Sequence, residues 1–370
     1  MTLRVPFLDL GAASRELELE QRAAIERVVA SGTYVLGPEV ERFEADFAAA
    51  AGAAHAVGVG NGLDALRLTL QALGIGPGDE VIVPSHTFVA TWLAVAATGA
   101  RIVPVEPDAH PYLIGTAAVA AAITPRTAAI VPVHLYGEPA DMPSLARLAA
   151  RHSLALVADA AQAHGAHVGG HPAGAWGDAS TWSFYPAKNL GALGDGGAVT
   201  TDDAVLAARL RRLRNYGSET KYVHLEAGVN SRLDELQAAV LGVRLAVLET
   251  WNERRRQIAE RYADGLAGTG LHLPAPTAGH AWHLYVVETP RREALAAMLG
   301  AAGVGTLVHY PVPCHRQAAF AGDEVAALHL PVAAHLAAGV LSLPIGPHLS
   351  PAAADHVIAI VRSASLARAA

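Results

Sequence analysis

The sequence has little cysteine, little lysine, few aromatics and no long apolar run. One cysteine, Cys314, in 370 residues excludes an internal disulfide and any zinc or iron–sulfur site built on several thiolates. No apolar stretch reaches the roughly 18–20 residues that span a bilayer. The start, MTLRVPFLDLGAASRELELE, turns acidic too early for a signal or transit peptide. With 27 basic against 34 acidic residues the net charge is −7, so a global basic footprint for nucleic acid is absent. The expectation is a soluble cytoplasmic protein with neither a nucleic acid nor a membrane partner. At 52% hydrophobic the chain is too apolar for disorder, and its length suits one large and one small domain or two to three domains.

The lysine shortage is informative. Of the 27 basic residues only Lys188 and Lys221 are lysines; the rest are arginines. A coding bias that replaces lysine wherever a mere cation suffices leaves those whose amine chemistry arginine cannot copy. A guanidinium stays protonated, whereas an ammonium can lose its proton and become a nucleophile. Lys188 is therefore a candidate catalytic residue.

Strand and helix signals alternate through the first half. Residues 12–31 read as a helix stopped by Gly32, and Pro38 opens a second that ends at Gly52. Apolar runs at 56–59, 80–84, 101–105, 128–133 and 154–159 are separated by helical segments near 63–73, 89–98, 116–122 and 143–151. Such runs indicate an α/β fold with a mostly parallel central sheet covered by helices. After residue 200 the pattern changes. A helical stretch over 234–266, strands at 282–289 and 304–310, and a final helix to about 363 suggest a small α+β domain. The expected division is a large domain, 1–245, and a small C-terminal domain, 246–370.

In an open parallel sheet, ligands bind beyond the carboxyl ends of the strands. Gly60-Asn61-Gly62 follows the first strand and opens a helix, and Ser85-His86-Thr87-Phe88 follows the second. Asp159 ends a later strand with Gln162 three residues on, and Ser183 ends another, followed by Tyr185 and Lys188. One rim thus receives a glycine turn, an aromatic, a carboxylate and a hydroxyl–lysine pair. An aromatic aldehyde phosphate would use all four. The helix near Gly62 offers N–H groups and a positive dipole end to phosphate, with Ser183 donating a further bond. Lys188 would form a Schiff base, Asp159 would keep a pyridine nitrogen protonated, Phe88 would stack on the ring and Gln162 would bond its phenolic oxygen. This is how pyridoxal phosphate uses a lysine and an acid.

Other readings of these segments are weaker. The glycine run GALGDGGAV (191–199) leads into a strand rather than a long helix, which argues against a dinucleotide loop. His164, His167 and His171 match no zinc spacing, so no metal is expected. Cys314 has no evident catalytic partner.

The stretches VGNGLDAL (59–66), PSHTFVATW (84–92), DAAQAHGA (159–166), SFYPAKNLGALGDGGAV (183–199), LRNYG (213–217) and NSRLDELQAA (230–239) resemble the DegT-type sugar aminotransferases. These are pyridoxal phosphate enzymes of the aspartate aminotransferase fold (fold type I). The resemblance runs from about residue 5 to the C-terminus. It implies that Lys188 is the Schiff-base lysine and proton carrier, that Asp159 pairs with the pyridine nitrogen, and that Gln162 meets the phenolic oxygen. It implies phosphate contacts from Gly62, Leu63 and Ser183, and from Asn230 of the other subunit of an obligatory homodimer. Family members carry Thr where this chain has Leu63, so a side-chain hydroxyl is lost there while the backbone N–H remains. A dehydratase branch has His in place of the lysine, so Lys188 argues for amino transfer.

VHLYGEPADM (133–142), HYPVPCH (309–315) and LSLPIGPHL (341–349) are most similar to the enzymes that aminate dTDP-linked 3-keto-6-deoxy sugars. The implied reaction is a transamination with L-glutamate as donor and 2-oxoglutarate as by-product, in deoxyamino-sugar and antibiotic biosynthesis. Tyr185, Tyr216, His309 and Tyr310 are candidates for the sugar-facing wall. Lys221 and Tyr222 are candidates for the nucleotide across the dimer; an exposed loop is the equal alternative. Also open are 4-keto amination, cofactor-dependent dehydration, and an idle regulator that binds the cofactor or a sugar nucleotide.

Overall fold

The computed structural model describes residues 3–366. The chain opens with α1 (Leu10–Glu16), α2 (Glu18–Ser31) and α3 (Pro38–Ala51), then alternates β1 (His55–Val59), α4 (Gly62–Ala72), β2 (Glu80–Pro84), α5 (Val89–Thr98), β3 (Arg101–Val105), α6 (Thr116–Ala122), β4 (Thr127–Ile130), α7 (Met142–His152) and β5 (Ala155–Asp159). A short ribbon, β6 (His167–Val168) and β7 (His171–Pro172), precedes β8 (Ala179–Ser183), β9 (Gly197–Thr201) and α8 (Ala204–Leu213). A second ribbon, β10 (Ser218–Thr220) and β11 (Val223–His224), leads to α9 (Glu235–Leu245) and α10 (Leu248–Leu266). The last part holds β12 (Tyr285–Glu288), α11 (Arg292–Ala301), α12 (Pro331–Gly339), β13 (Val340–Leu343) and α13 (Pro351–Leu366).

The main sheet has seven strands in the order β1-β9-β8-β5-β4-β2-β3. All run parallel except β9, which pairs antiparallel with both β1 and β8. Alternate residues of each strand enter different cores, as the pleat requires. Val81 and Val83 pack with α4 and α5, while Ile82 joins Leu145 of α7 and Val119 of α6. Val57 and Val199 pack under α4 and α8, while Ala56 and Ala198 face Phe43 and Phe47 of α3. Both faces are therefore helix-covered, which explains the uninterrupted apolar runs. A separate core gathers Ile258, Tyr262 and Leu266 of α10 with Tyr285, Leu299, Leu343 and Val357, and takes in Val5 from the N-terminus.

Four local expectations are corrected. The first helix is two helices, broken at Leu17 (φ −115°), a buried residue beside Glu16, whose carboxylate meets Trp251 and Arg254. The stretch over 234–266 breaks at Ala246–Val247; Leu241 and Leu248 on either side pack in the core around Phe43 and Phe47, and the chain reaches the core around Tyr262 only from Ile258 on. The fourth strand stops at Ile130, because Pro132 has no N–H for the ladder. Residues 304–310 form no strand: Val304 pairs with Val5 and Leu307 with Ser342, so the segment serves two partners and no continuous ladder.

Candidate active site

The rim at the carboxyl ends of β1, β2, β5 and β8 encloses a cavity of about 380 Å³. At its first corner, Asn61 ends the turn after β1 and caps α4, its side chain accepting the Asp64 N–H at 2.8 Å. The backbone N–H groups of Gly62 and Leu63 find no acceptor among the described residues. They point out of the positive end of an 11-residue helix, which suits an anion. A Cβ on Gly62 would sit 2.7 Å from Cβ of Ser183, so glycine is what lets this turn lie against the end of β8.

Asp159 and Lys188 bring opposite charges into the same cavity. Asp159 is buried; Oδ2 accepts the Thr91 hydroxyl at 2.8 Å and Oδ1 accepts the Ala161 N–H at 3.2 Å. Thr91 in turn lies 3.1 Å from the Thr87 hydroxyl. Burial raises the Asp159 pKa, against the pull of Thr91, Ala161 and the Lys188 charge. Lys188 sits in the loop between β8 and β9, where its N–H donates to the Tyr185 carbonyl at 2.8 Å. Burial brings its amine down to about 8, partly offset by Asp159. An amine near neutrality beside a buried carboxylate can serve as nucleophile and as proton carrier.

Aromatic rings form the wall. Phe88 is 52% exposed and its ring centre lies 5.4 Å from that of Tyr310. Gln162 is engaged at both ends of its amide: Oε1 accepts the Tyr136 N–H at 2.5 Å and Nε2 donates to the Tyr310 hydroxyl at 2.9 Å. One Nε2 hydrogen stays uncommitted. The Tyr136 hydroxyl bonds the His309 carbonyl and lies 2.8 Å from His86 Nε2. His309 Nδ1 meets the Ser342 hydroxyl at 2.8 Å, which fixes its ring at the cavity edge.

A model of the DegT/DnrJ/EryC1/StrS aminotransferase family matches residues 15–362. The chain belongs to this family. It is 58% identical over 98% of its length, and 96% of the relative's, to a dTDP-3-amino-3,4,6-trideoxy-alpha-D-glucose transaminase of Streptomyces venezuelae. Its fold superposes with a TM-score of 0.96 on a crystal structure of DesV from S. venezuelae in complex with a ketimine intermediate. That match has 57% identity and covers 98% of this chain and 99% of the other. A structure of NtdA from Bacillus subtilis with bound cofactor PMP matches at 31% identity and TM-score 0.92, covering 99% of this chain and 86% of that one.

In this DegT/DnrJ/EryC1/StrS aminotransferase, ten of the residues singled out by sequence line one cavity: Gly62, Leu63, Phe88, Asp159, Gln162, Ser183, Tyr185, Lys188, His309 and Tyr310. Four stand outside the cavity of their own chain. Tyr216 was expected on its wall; instead its backbone is left-handed (φ 59°), its N–H bonds the Val229 carbonyl and its ring lies under Arg232. Lys221 lies over the ring of Tyr222, which is 83% exposed. Asn230 is exposed and bridges to Asn215.

Sequence reasoning missed Thr91, Tyr136, Asp195 and His283. Thr91 had a signal, since it falls in the first turn of the helix expected over 89–98, directly after the segment that ends the second strand. The other three come from loops whose course no periodicity reports. Among the described residues no helix is long and apolar enough to cross a membrane, and no cluster of three or more His, Cys, Asp or Glu is placed to hold a metal.

Proposed function

We propose that this enzyme is a pyridoxal phosphate-dependent transaminase that converts a dTDP-linked 3-keto-6-deoxyhexose into the 3-amino sugar, with L-glutamate as donor. It works as a cytoplasmic homodimer in deoxyamino-sugar biosynthesis. The observation that carries the reading is the joint placement of Lys188, Asp159 and the open N-terminus of α4 around one cavity. The 58% identity to the dTDP-3-amino-3,4,6-trideoxy-alpha-D-glucose transaminase favours the 3-keto substrate over a 4-keto isomer.

The residues present fit the cofactor. The unpaired N–H groups of Gly62 and Leu63, with Ser183, would hold its phosphate, and the partner subunit's Asn230 would complete that site. Phe88 would cover one ring face, Gln162 would spend its free Nε2 hydrogen on the phenolic oxygen, and Lys188 would bond the aldehyde carbon. Bound there, the cofactor supplies an electron-withdrawing ring that lets a carbon next to nitrogen lose its proton. Asp159 would hold the ring nitrogen protonated, because a cation beside a buried carboxylate favours the ionised acid. Nζ of Lys188 takes a proton from the α-carbon of glutamate and later delivers one to C3 of the sugar. Its low pKa keeps a useful share of the amine neutral for the first step. Tyr185, His309 and Tyr310 line the route to that amine.

The test is a panel of dTDP-keto sugars incubated with glutamate and scored by product NMR. Amination at C3 with stoichiometric 2-oxoglutarate is expected. Amination at C4, loss of a hydroxyl, or cofactor binding without any glutamate half-reaction would each replace this reading with a named alternative.

A further inference from the structure

His283 lines the same cavity as Lys188 but belongs to the segment entering β12, far along the chain. A relay of side-chain amides fixes its ring. Asn252 of α10 donates through Nδ2 to the His164 carbonyl at 2.8 Å. A carbonyl only accepts, so the other end of Asn252 must be its oxygen. That oxygen accepts Nδ2 of Asn189 at 2.9 Å, and the same Nδ2 donates to the Ala281 carbonyl at 2.7 Å. Asn189 is thereby oriented twice over, and its Oδ1 faces Nδ1 of His283 at 3.2 Å. His283 Nδ1 must carry the proton, and in a neutral ring Nε2 is then a bare acceptor. Burial and the positive charges of Lys188 and Arg255 oppose ring protonation. Nε2 has no partner among the described residues, although the ring borders the cavity.

We infer that His283 is a specificity-determining residue whose Nε2, held bare by the Asn189–Asn252 relay, accepts a hydrogen bond from a sugar hydroxyl adjacent to the reacting carbonyl. The inference rests on the keto-sugar reading above. A neutral acceptor there selects a hydroxyl donor and offers nothing to a carboxylate or phosphate, so it separates the sugar from the anionic parts of either substrate. The relay also explains Gly165, where a Cβ would fall 2.3 Å from Asn252 Nδ2.

Two measurements on the cofactor-loaded enzyme decide it. Nitrogen-15 NMR of labelled histidine, with the His283→Gln spectrum identifying the signal, is expected to show Nδ1 protonated and Nε2 bare. A proton on Nε2 overturns the inference. Single-turnover kinetics then compare a dTDP-keto sugar with its analogue lacking the adjacent hydroxyl. Wild type is expected to prefer the hydroxyl-bearing sugar by about tenfold or more. His283→Phe should bring that ratio close to one, while His283→Gln, which keeps an acceptor near the Nε2 position, retains most of it. The keto-sugar step of His283→Phe should lose about tenfold more than its glutamate step. A preference that survives in folded His283→Phe removes the role. Failure of wild type to aminate any keto sugar strikes the functional reading instead, and the tautomer measurement still stands on its own.

Discussion

The hydroxyl of Thr91, in the first turn of α5, donates to Oδ2 of Asp159 at the end of β5 across 2.8 Å. The contact lies inside the protein, where a hydrogen bond to a charged group contributes about 1.5–3 kcal/mol. It opposes the burial that would otherwise protonate this acid. Thr91→Val is therefore expected to weaken binding of the aminated cofactor by about tenfold or more, and Thr91→Ser to keep most of it. Fluorescence titration of cofactor-free protein measures this directly. Equal affinities in all three proteins would leave Thr91 a packing residue only.

Lys188 gives a second prediction, sharpened by the scarcity of lysine. Borohydride reduction of the loaded protein should place the adduct at Lys188 and leave Lys221 unmodified. With the amine near 8, capture of pyridoxal phosphate by cofactor-free protein should rise with pH around that value, since only the neutral amine attacks. A rise centred near 10.5 would mean that burial does not perturb the group. Lys188→Arg should fold, still take up the cofactor without a covalent bond, and lose transamination by about a thousandfold, in the range of lost proton transfer.

Gly165 has φ +77° and leaves room for Asn252. Gly165→Ala combines a left-handed backbone with a clash against Nδ2 of a buried amide. A loss of about 2–4 kcal/mol is expected, from strain and a broken buried hydrogen bond together. Urea denaturation reads it, and Gly300→Ala, in α11 with nothing within 4 Å of its Cβ position, is the control, expected to keep or gain up to about 1 kcal/mol.

Acid should destabilise the cofactor-free protein in a defined window. His86 and His134 titrate near 4, and His164 and His280 near 3, all chiefly through burial. Two of them also use a bare ring nitrogen: His134 Nδ1 accepts the Ala140 N–H, and His280 Nδ1 accepts the Trp282 N–H. Unfolded, each takes a proton near 6.5. Between about 6.5 and 4 the unfolded chain thus binds more protons, and stability falls as pH falls, by up to about 1.4 kcal/mol per pH unit for each group. The urea midpoint should hold steady between about pH 6.5 and 7.5, drop steeply below 6, and rise modestly above 8, where the unfolded chain still protonates the amine that Lys188 has lost in the folded protein. A midpoint constant down to pH 5 would contradict the neutral state of these rings.

Much of this was legible before any coordinates. The runs that became β1, β2, β3 and β5 are apolar because helices cover both faces, and the rule of strand ends then collects Gly62, Asp159, Ser183 and Lys188 on one rim. Antiparallel β9 was not legible, since a single strand carries no sign of its direction. The positions of Tyr136 and His283 were hidden for a related reason. Each sits where two distant stretches of chain meet, and a linear pattern reports only neighbours along the chain. An aromatic near an active-site motif, such as Tyr216, looks the same in sequence whether it lines the cavity of its own chain or stands outside it. The roles proposed for Lys221, Tyr222 and Asn230 would need a second copy of the chain, which no sequence pattern within one copy locates.

The reversed strand β9 has one more implication. β1 touches the rest of the sheet only through it. The turn that would grip the phosphate and the loop that carries Lys188 are thus registered through the one strand running back between them, paired at five positions with β1 and at four with β8, and by the close approach of Gly62 to Ser183. An insertion in β9 would pull the two ends of the coenzyme site apart while leaving every side chain in it unchanged.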